Sequence, residues 1–296
     1  MSRQPALRPA TGSLSSLGGI ACMVGGGLGL ALNSAVAKFL VADYPPGQIL
    51  FVRALFIYVI IALLVWRDGG LATLRISNFP GQTARALCLA LSTYLMVVSV
   101  GLLPLGDVFV INHASPLILT ALAALFLGER VGWRRWGAIV AGFAGIVVML
   151  RPTPTAFQWA ALIPLFVALL SATRDAITRH ITNTESSTGI LAYTTTIVML
   201  AGLATAPFVD WRPIPWSDLY IFALAALFQG TAHFLMIETF RLAEAKIVAP
   251  FKYSSILWAV VLGYLIWGDL PDAWIIGGGT IVVGSGLYIL HRERRR

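Results

Sequence analysis

The composition of this 296-residue chain excludes an ordinary soluble fold. Hydrophobic residues make up 58% of it and charged residues 11%, whereas soluble domains are about 45–50% apolar and about 25% charged. The formal charge of +8 does not indicate a nucleic-acid surface, because the basic residues are scattered at the ends of apolar runs. Cys22 and Cys88 lie within apolar runs, so the cysteines predict neither a disulfide framework nor a metal site.

Ten apolar segments, each suited to crossing a bilayer, follow one another along the chain. A short tail is predicted over residues 1–16. The predicted spans cover 17–41, 46–66, 82–103, 105–127, 133–150, 158–178, 187–209, 217–240, 247–267 and 272–290. The first span is interpreted as a retained helix, because it is too long for a signal-peptide core. The connections are too short for a separate soluble domain.

Lys and Arg residues fix the predicted orientation, because cytoplasmic loops retain them. If the amino terminus lies inside, the outer segments hold only Arg151 and Arg212, and most other basic residues fall in inner segments. The sequence therefore predicts an all-α, multi-pass protein of the bacterial cytoplasmic membrane. Both termini are expected in the cytoplasm.

The two halves of the chain echo each other at a shift of 140 residues. Leu127-Gly128-Glu129-Arg130 falls on Trp267-Gly268-Asp269-Leu270. Five helices per half is an odd number, so the second half must be inverted. The predicted units are a first repeat over 17–151, a second repeat over 152–291 and a basic tail over 292–296. Inverted repeats are typical of secondary transporters, whose solute site lies between the repeats.

Several motifs of the first half form a set. They are Leu103-Pro104-Leu105-Gly106-Asp107, Ser115-Pro116-Leu117, Leu127-Gly128-Glu129-Arg130-Val131 and Trp133-Arg134-Arg135-Trp136-Gly137. This set resembles the EamA-type repeat of the drug/metabolite transporter superfamily, and the second half matches it more loosely. The resemblance implies a ten-helix, pseudo-symmetric transporter without ATPase domains. Members export amino acids and metabolites or take up compounds such as riboflavin or S-adenosylmethionine.

Polar residues inside the predicted spans are the candidates for solute contact, because such groups are costly in lipid unless they face a cavity or a partner. The predicted central site contains Asn33, Tyr94, Asn112, His113, Gln229, His233, Lys252 and Tyr253. The 140-residue shift pairs Asn112 with Lys252 and His113 with Tyr253, at equivalent depth. Lys252 suits a solute carboxylate, and the tyrosines suit an aromatic or aliphatic side chain. Hydrogen bonding between helices, without solute contact, is the alternative for each residue.

Charged residues within the spans are candidates for gating or proton coupling. They are Lys38, Asp107, Arg174, Asp175 and Glu238. Lys38 and Asp107 share a predicted depth, so they form an outer gate unless Lys38 extends to the lipid headgroups. Arg174 and Asp175 form either part of an inner gate or an interfacial ion pair. Glu238 is either a proton-coupling acid or a partner of Arg241 at i+3.

Small residues form stripes on two predicted helices. Gly137, Ala141 and Gly145 lie on the fifth helix, and Gly277 and Gly284 lie on the tenth. Such stripes allow backbones to approach closely. They predict either peripheral support within one chain or a dimer seam, so a monomer and a homodimer both remain open.

Together these features predict a secondary transporter of small organic metabolites that works by alternating access. Export of aromatic or aliphatic amino acids is the first hypothesis, and uptake of a cofactor such as riboflavin or S-adenosylmethionine is the alternative. A membrane-embedded lipid-modifying enzyme would need acids and histidines clustered at one interface, and the four histidines lie on different segments. No cofactor is expected. The sequence has no Walker-type phosphate loop. The expected partners are a small solute and membrane lipid.

Overall fold

The computed structural model describes residues 13–67, 70–126, 133–150, 159–181, 186–243 and 245–294. Within these ranges all regular structure is helical. The α-helices are α1 (Ser13–Asp43), α2 (Pro46–Arg67), α3 (Phe79–Leu102), α4 (Leu105–Asn112), α5 (Ser115–Phe126), α6 (Trp133–Leu150), α7 (Leu162–Ile181), α8 (Ser187–Leu203), α9 (Trp216–Leu242), α10 (Ala245–Val248), α11 (Ser254–Trp267) and α12 (Ala273–Arg294). Short 3-10 helices cover Leu71–Leu74, Trp159–Ala161 and Ala249–Tyr253.

The predicted tails are only partly described. Helix α1 already begins at Ser13, and α12 continues to Arg294, so each terminal helix extends into a segment that the sequence predicted as tail. The motif at 127–130 lies outside the described residues.

Two predicted spans are broken helices in the structure. The span 105–127 divides into α4 and α5 at His113 and Ala114. The span 247–267 divides into α10, the 3-10 helix Ala249–Tyr253 and α11. Proline explains both breaks, because Pro116 and Pro250 lack the N–H that a continuous helix would donate to the carbonyl four residues earlier. Each break leaves backbone groups available for contacts between helices.

Six helical stretches of the described chain are long and apolar enough to cross a membrane. They are Leu17–Asp43, Pro46–Arg67, Phe79–Leu102, Leu105–Leu122, Trp159–Ile177 and Trp216–Met236. Shorter apolar helices cover Trp136–Leu150, Thr188–Leu203 and Ala273–Ile289. Large apolar side chains face outward on several of these helices, and Val59 and Leu63 are each 61% exposed. Such a surface is stable in hydrocarbon and not in water.

The helices pack in pairs that a pseudo-two-fold axis relates. Helix α1 packs along α9, and in the same way α7 packs along α3. Three further pairs, α2 with α8, α4 with α11 and α6 with α12, join equivalent helices of the two halves. Equivalent helices can meet only across the axis that exchanges them. The axis therefore runs between the members of each of these three pairs.

Glycine backbones hold α6 against α12. A methyl group on Gly278 would lie 2.4 Å from the carbonyl oxygen of Gly145, far inside van der Waals contact. By contrast, Gly137, Gly277 and Gly284 have nothing within 4 Å of the position that a Cβ would occupy. Of the predicted stripes, Gly145 therefore makes close contact within the chain, and its partner is Gly278.

Candidate solute-binding site

The most deeply buried cation that the structure describes lies on α2. The side chain of Arg53 is 2% exposed, and its Nη1 donates to the amide oxygen of Asn33 on α1 at 3.2 Å. Asn33 is itself buried. The sequence places Arg53 near the outer end of the second span and does not include it in the candidate site, although it does include Asn33.

Arg53 borders a cavity of about 30 Å³ between α2, α3, α8 and α9. That volume holds one or two water molecules. The lining polar residues are Arg53, Thr93, Thr194, Thr195, Gln229 and His233, and the others are Leu50, Ala54, Ile57, Leu89, Leu191, Val198 and Gly230. Gln229 Nε2 lies 3.0 Å from His233 Nε2, as their i,i+4 spacing on one helix face requires.

The cavity straddles the pseudo-two-fold axis. Three pairs of its lining residues are related by the 140-residue shift, namely Ala54 with Thr194, Leu89 with Gln229, and Thr93 with His233. Equivalent positions of the two halves therefore face each other across one small space. The two sides of the cavity differ in charge, because the positions equivalent to Arg53 and His233 in the other half hold Tyr193 and Thr93.

His113 joins the two helix breaks. Its Nδ1–H donates to the carbonyl oxygen of Phe109 at 2.7 Å, and its Nε2 lies 3.0 Å from the hydroxyl of Ser255. The ring also packs against that of Tyr253, with 5.5 Å between centroids. His113 and Tyr253 thus lie close together, as predicted, but both ring nitrogens of His113 have protein partners. In this conformation His113 connects α4 to α11.

Three polar atoms beside these breaks are buried without a hydrogen-bond partner in the described chain. They are Asn112 Oδ1, Tyr253 Oη and Ser254 Oγ. The Tyr253 hydroxyl lies against Gly286 of α12, where a Cβ would meet it. Because a buried polar atom without a partner is costly, all three atoms are available for a further hydrogen bond.

Lys252 has a carboxylate neighbour on α7. Its Nζ lies 3.9 Å from Asp175 Oδ2. Arg174 donates to the other oxygen of Asp175 from Nε at 3.0 Å and from Nη2 at 2.8 Å. The Lys252 and Asp175 side chains remain 35% and 30% exposed. The three residues thus form one charged cluster between α7 and the 3-10 helix that precedes α11.

Lys38 contacts the second repeat at the other end of the bundle. Its Nζ lies 3.1 Å from Asp269 Oδ2 and 4.6 Å from the centre of the Trp267 ring. The carboxylate observed beside Lys38 thus comes from the loop after α11. Asp107, the partner that shared depth suggested, lies buried in the first turn of α4. The gate between Lys38 and Asp107 stays a prediction, because depth along a helix does not specify the direction of a side chain around it.

The remaining predicted residues lie apart from the cavity lining. Tyr94 is half-buried on α3 and packs against the cluster that contains α1 and α4 residues. Glu238 is half-buried near the end of α9, and the side chain of Arg241 is outside what the structure describes. Within the described ranges, no three His, Cys, Asp or Glu side chains come together as metal ligands would.

A wider groove of about 860 Å³ lies around the last turns of α1 and α3 and the first turns of α9. Tyr44, at its edge, donates a hydrogen bond to the carboxylate of Asp218. The pKa of Tyr44 is raised to about 12, mainly because of this hydrogen bond and secondly because of burial. The groove is lined largely by apolar side chains, whereas polar side chains from both repeats converge on the smaller cavity.

A family model matches the chain twice, over residues 17–151 and 158–291. The chain therefore belongs to the EamA-like transporter family, and the resemblance seen in the sequence is confirmed. It is a membrane transporter of this family.

Several curated relatives match along most of their length. A riboflavin transporter of Rhizobium johnstonii is 28% identical, over 93% of this chain and 91% of that protein. An S-adenosylmethionine uptake transporter of Rickettsia prowazekii is 25% identical, over 90% of each chain. A pseudopaline exporter of Pseudomonas aeruginosa is also 25% identical, over 86% of this chain and 89% of that one. The relatives thus include both uptake and export proteins.

A solved structure described as "Crystal structure of protein" has the same fold. It superposes with a TM-score of 0.62, over 96% of this chain and 98% of that chain. The sequence identity is 16%, so the likeness concerns the fold alone.

Proposed function

We propose that this chain is a secondary transporter that moves a small, carboxylate-bearing organic solute between its two repeats by alternating access. The observation that carries the proposal is the convergence of polar side chains from both repeats on one small cavity. Transporters of inverted-repeat design bind their solutes between the repeats. The broken helices on either side of the axis support it, because interrupted helices supply backbone groups and bend points at such sites.

The proposed topology has ten crossings, with α4–α5 and α10–α11 as two broken ones and both termini in the cytoplasm of a bacterium. The six long and three shorter apolar helices support this number once the broken helix 245–267 is added. Cysteine labelling tests it in a variant that lacks Cys22 and Cys88. We expect a cysteine at Leu71 to react from inside and one at Phe208 from outside, both being exposed positions. Labelling of both from one side would contradict the topology.

Amino acids and amino-acid-bearing cofactors are the proposed solutes. Arg53, Lys252 and Arg174 provide cationic groups in the interior of the bundle, which favours a carboxylate over a purely cationic solute. Export of aromatic or aliphatic amino acids is one form of this proposal. Uptake of S-adenosylmethionine, which carries the same amino-acid group, is the other, and the name of the Rickettsia relative favours it.

Transport measured in proteoliposomes tests which of these two forms of the proposal is correct. Purified protein would be tested with radiolabelled tryptophan, leucine, S-adenosylmethionine and riboflavin, with and without the unlabelled solute inside. Uptake that is accelerated by internal unlabelled solute is the expected sign of alternating access. Empty liposomes are the control. Failure of all four solutes to move through stable, correctly inserted protein would contradict the proposal.

A further inference from the structure

Arg53 carries a charge that the described protein does not neutralise. Its hydrogen-bond partner in the described chain is the neutral amide of Asn33, and its side chain is 2% exposed. A charge held inside a membrane bundle is costly unless a counter-ion or water compensates it. A guanidinium in this position is therefore suited to meet an anionic group that enters the bundle.

Three other cations of the bundle differ from Arg53 in this respect. Lys38 lies 3.1 Å from a carboxylate oxygen of Asp269. Arg174 and Lys252 share Asp175, at 2.8 Å and 3.9 Å. Each of these three already has a protein carboxylate as neighbour. The sequence alone favoured Lys252 for carboxylate binding, but Asp175 offsets part of its charge, whereas Arg53 faces a cavity.

We infer that Arg53 is the residue that recognises the carboxylate of the transported solute. A planar guanidinium donates two parallel N–H groups to a carboxylate, a geometry that lysine cannot match. The hydroxyls of Thr93 and Thr195 and the ring of His233 border the same cavity and are placed to complete the hydrogen bonding. This inference rests on the proposed transport function and names the chemical group that the site selects.

The size of the cavity is consistent with this role in the conformation observed. About 30 Å³ accommodates little more than the carboxylate itself. The remainder of a solute needs additional room. Separation of the repeats during alternating access provides that room, because the cavity lies between helices of both.

The inference is tested by comparing solutes with and without a carboxylate. Equilibrium binding of radiolabelled tryptophan, tryptamine, S-adenosylmethionine and riboflavin would be measured on the purified native protein, Arg53→Gln and Arg53→Lys. We expect the native protein to bind tryptophan or S-adenosylmethionine, with affinity lower by about tenfold or more in Arg53→Gln, as loss of a charge-assisted hydrogen-bond pair implies. Arg53→Lys should fall between the two. Any tryptamine or riboflavin binding should be alike in all three.

Arg67→Gln is the matched control, because it removes the same charge from the last turn of the same helix, away from the cavity. It should bind all four solutes like the native protein. The melting temperature without solute distinguishes a role of Arg53 in solute recognition from a role in stability. Removal of an uncompensated buried charge should leave the melting temperature of Arg53→Gln equal to that of the native protein or higher. A lower melting temperature would make Arg53 a structural residue and overturn the inference.

Two other results would also overturn it. One is equal affinity of the native protein and Arg53→Gln for the carboxylate solutes. The other is a native protein that binds neither tryptophan nor S-adenosylmethionine but transports riboflavin in proteoliposomes. In that case transport by alternating access would stand, whereas the carboxylate-bearing solute and the role of Arg53 would both fail. A protein that moves none of the four solutes would contradict the transport function itself, so the two failures are distinguishable.

Discussion

The pair α6–α12 and the pair α2–α8 are packed alike, with the pseudo-two-fold axis running between the members of each pair. They differ in the residues that surround them. Helices α6 and α12 meet through Gly145 and Gly278, and α2 and α8 also approach closely, because a Cβ on Gly202 would lie 2.6 Å from the carbonyl oxygen of Gly47. Beside α2 and α8, however, Arg53 and polar residues of α3 and α9 enclose a cavity. Glycine packing therefore holds the helices together at both pairs, whereas the polar side chains distinguish the pair that borders the cavity.

The largest effect is expected from breaking the glycine contact of α6 with α12. Gly278→Leu would place side-chain atoms against the backbone of Gly145 and Met149, which should destabilise the protein by about 2 kcal/mol or more. Thermal unfolding in detergent measures this. Gly277→Leu is the matched control, because its neighbouring position faces open space, and it should unfold like the native protein. Equal losses in both variants would contradict the packing described.

A somewhat smaller loss of stability is expected from breaking the charged cluster of Arg174, Asp175 and Lys252. Asp175→Asn leaves Arg174 and Lys252 without their shared carboxylate. Because these side chains are partly exposed, the expected loss of stability is about 1–2 kcal/mol. Lys252→Met combined with Asp175→Asn should recover part of it, since one uncompensated charge is then removed. A double variant no more stable than Asp175→Asn would show that the cluster does not act as a unit.

The contact of α1 with the loop after α11 should affect conformation more than stability. Lys38→Met removes the ion pair with Asp269 and the contact with Trp267, which together contribute about 1 kcal/mol. If this contact holds the outer end closed, cysteine at Phe39 should react about fivefold faster with an external reagent in Lys38→Met. Arg212→Met, which removes a cation of the proposed outer side, is the comparison. Unchanged reactivity would limit the contact to a structural role.

The smallest effect concerns the seam between α2 and α8 itself. The hydroxyls of Tyr58 and Thr196 are 2.6 Å apart, so Tyr58→Phe removes one hydrogen bond between the two helices. The expected loss of stability is about 0.5–1 kcal/mol, with solute affinity unchanged, because Tyr58 does not line the cavity. Tyr264→Phe, at an exposed position of α11, controls for loss of a hydroxyl elsewhere. A large loss of solute binding in Tyr58→Phe would show that the seam shapes the site.

The sequence by itself determined the membrane character, the positions of the helices and the family. Hydropathy is a sum over a segment, so it identifies segments such as 46–66 without any knowledge of their neighbours. Pro116 and Pro250 are local features in the same sense, and the helices break beside them. Gln229 and His233 share a face because the helical period alone requires it. The contact between Arg174 and Asp175 could also be predicted from the sequence, because the two residues are neighbours in the chain.

Only the tertiary structure decided which distant side chains meet. Sequence position gives the depth of a residue along its helix, but the direction of its side chain depends on how each helix is rotated and which helix lies next to it. Lys38 and Asp269 are separated by 231 residues, and nothing in the local pattern of either selects the other. Arg53 was missed for the same reason, because its distinguishing property is the lack of a described carboxylate partner beside a cavity that four helices enclose.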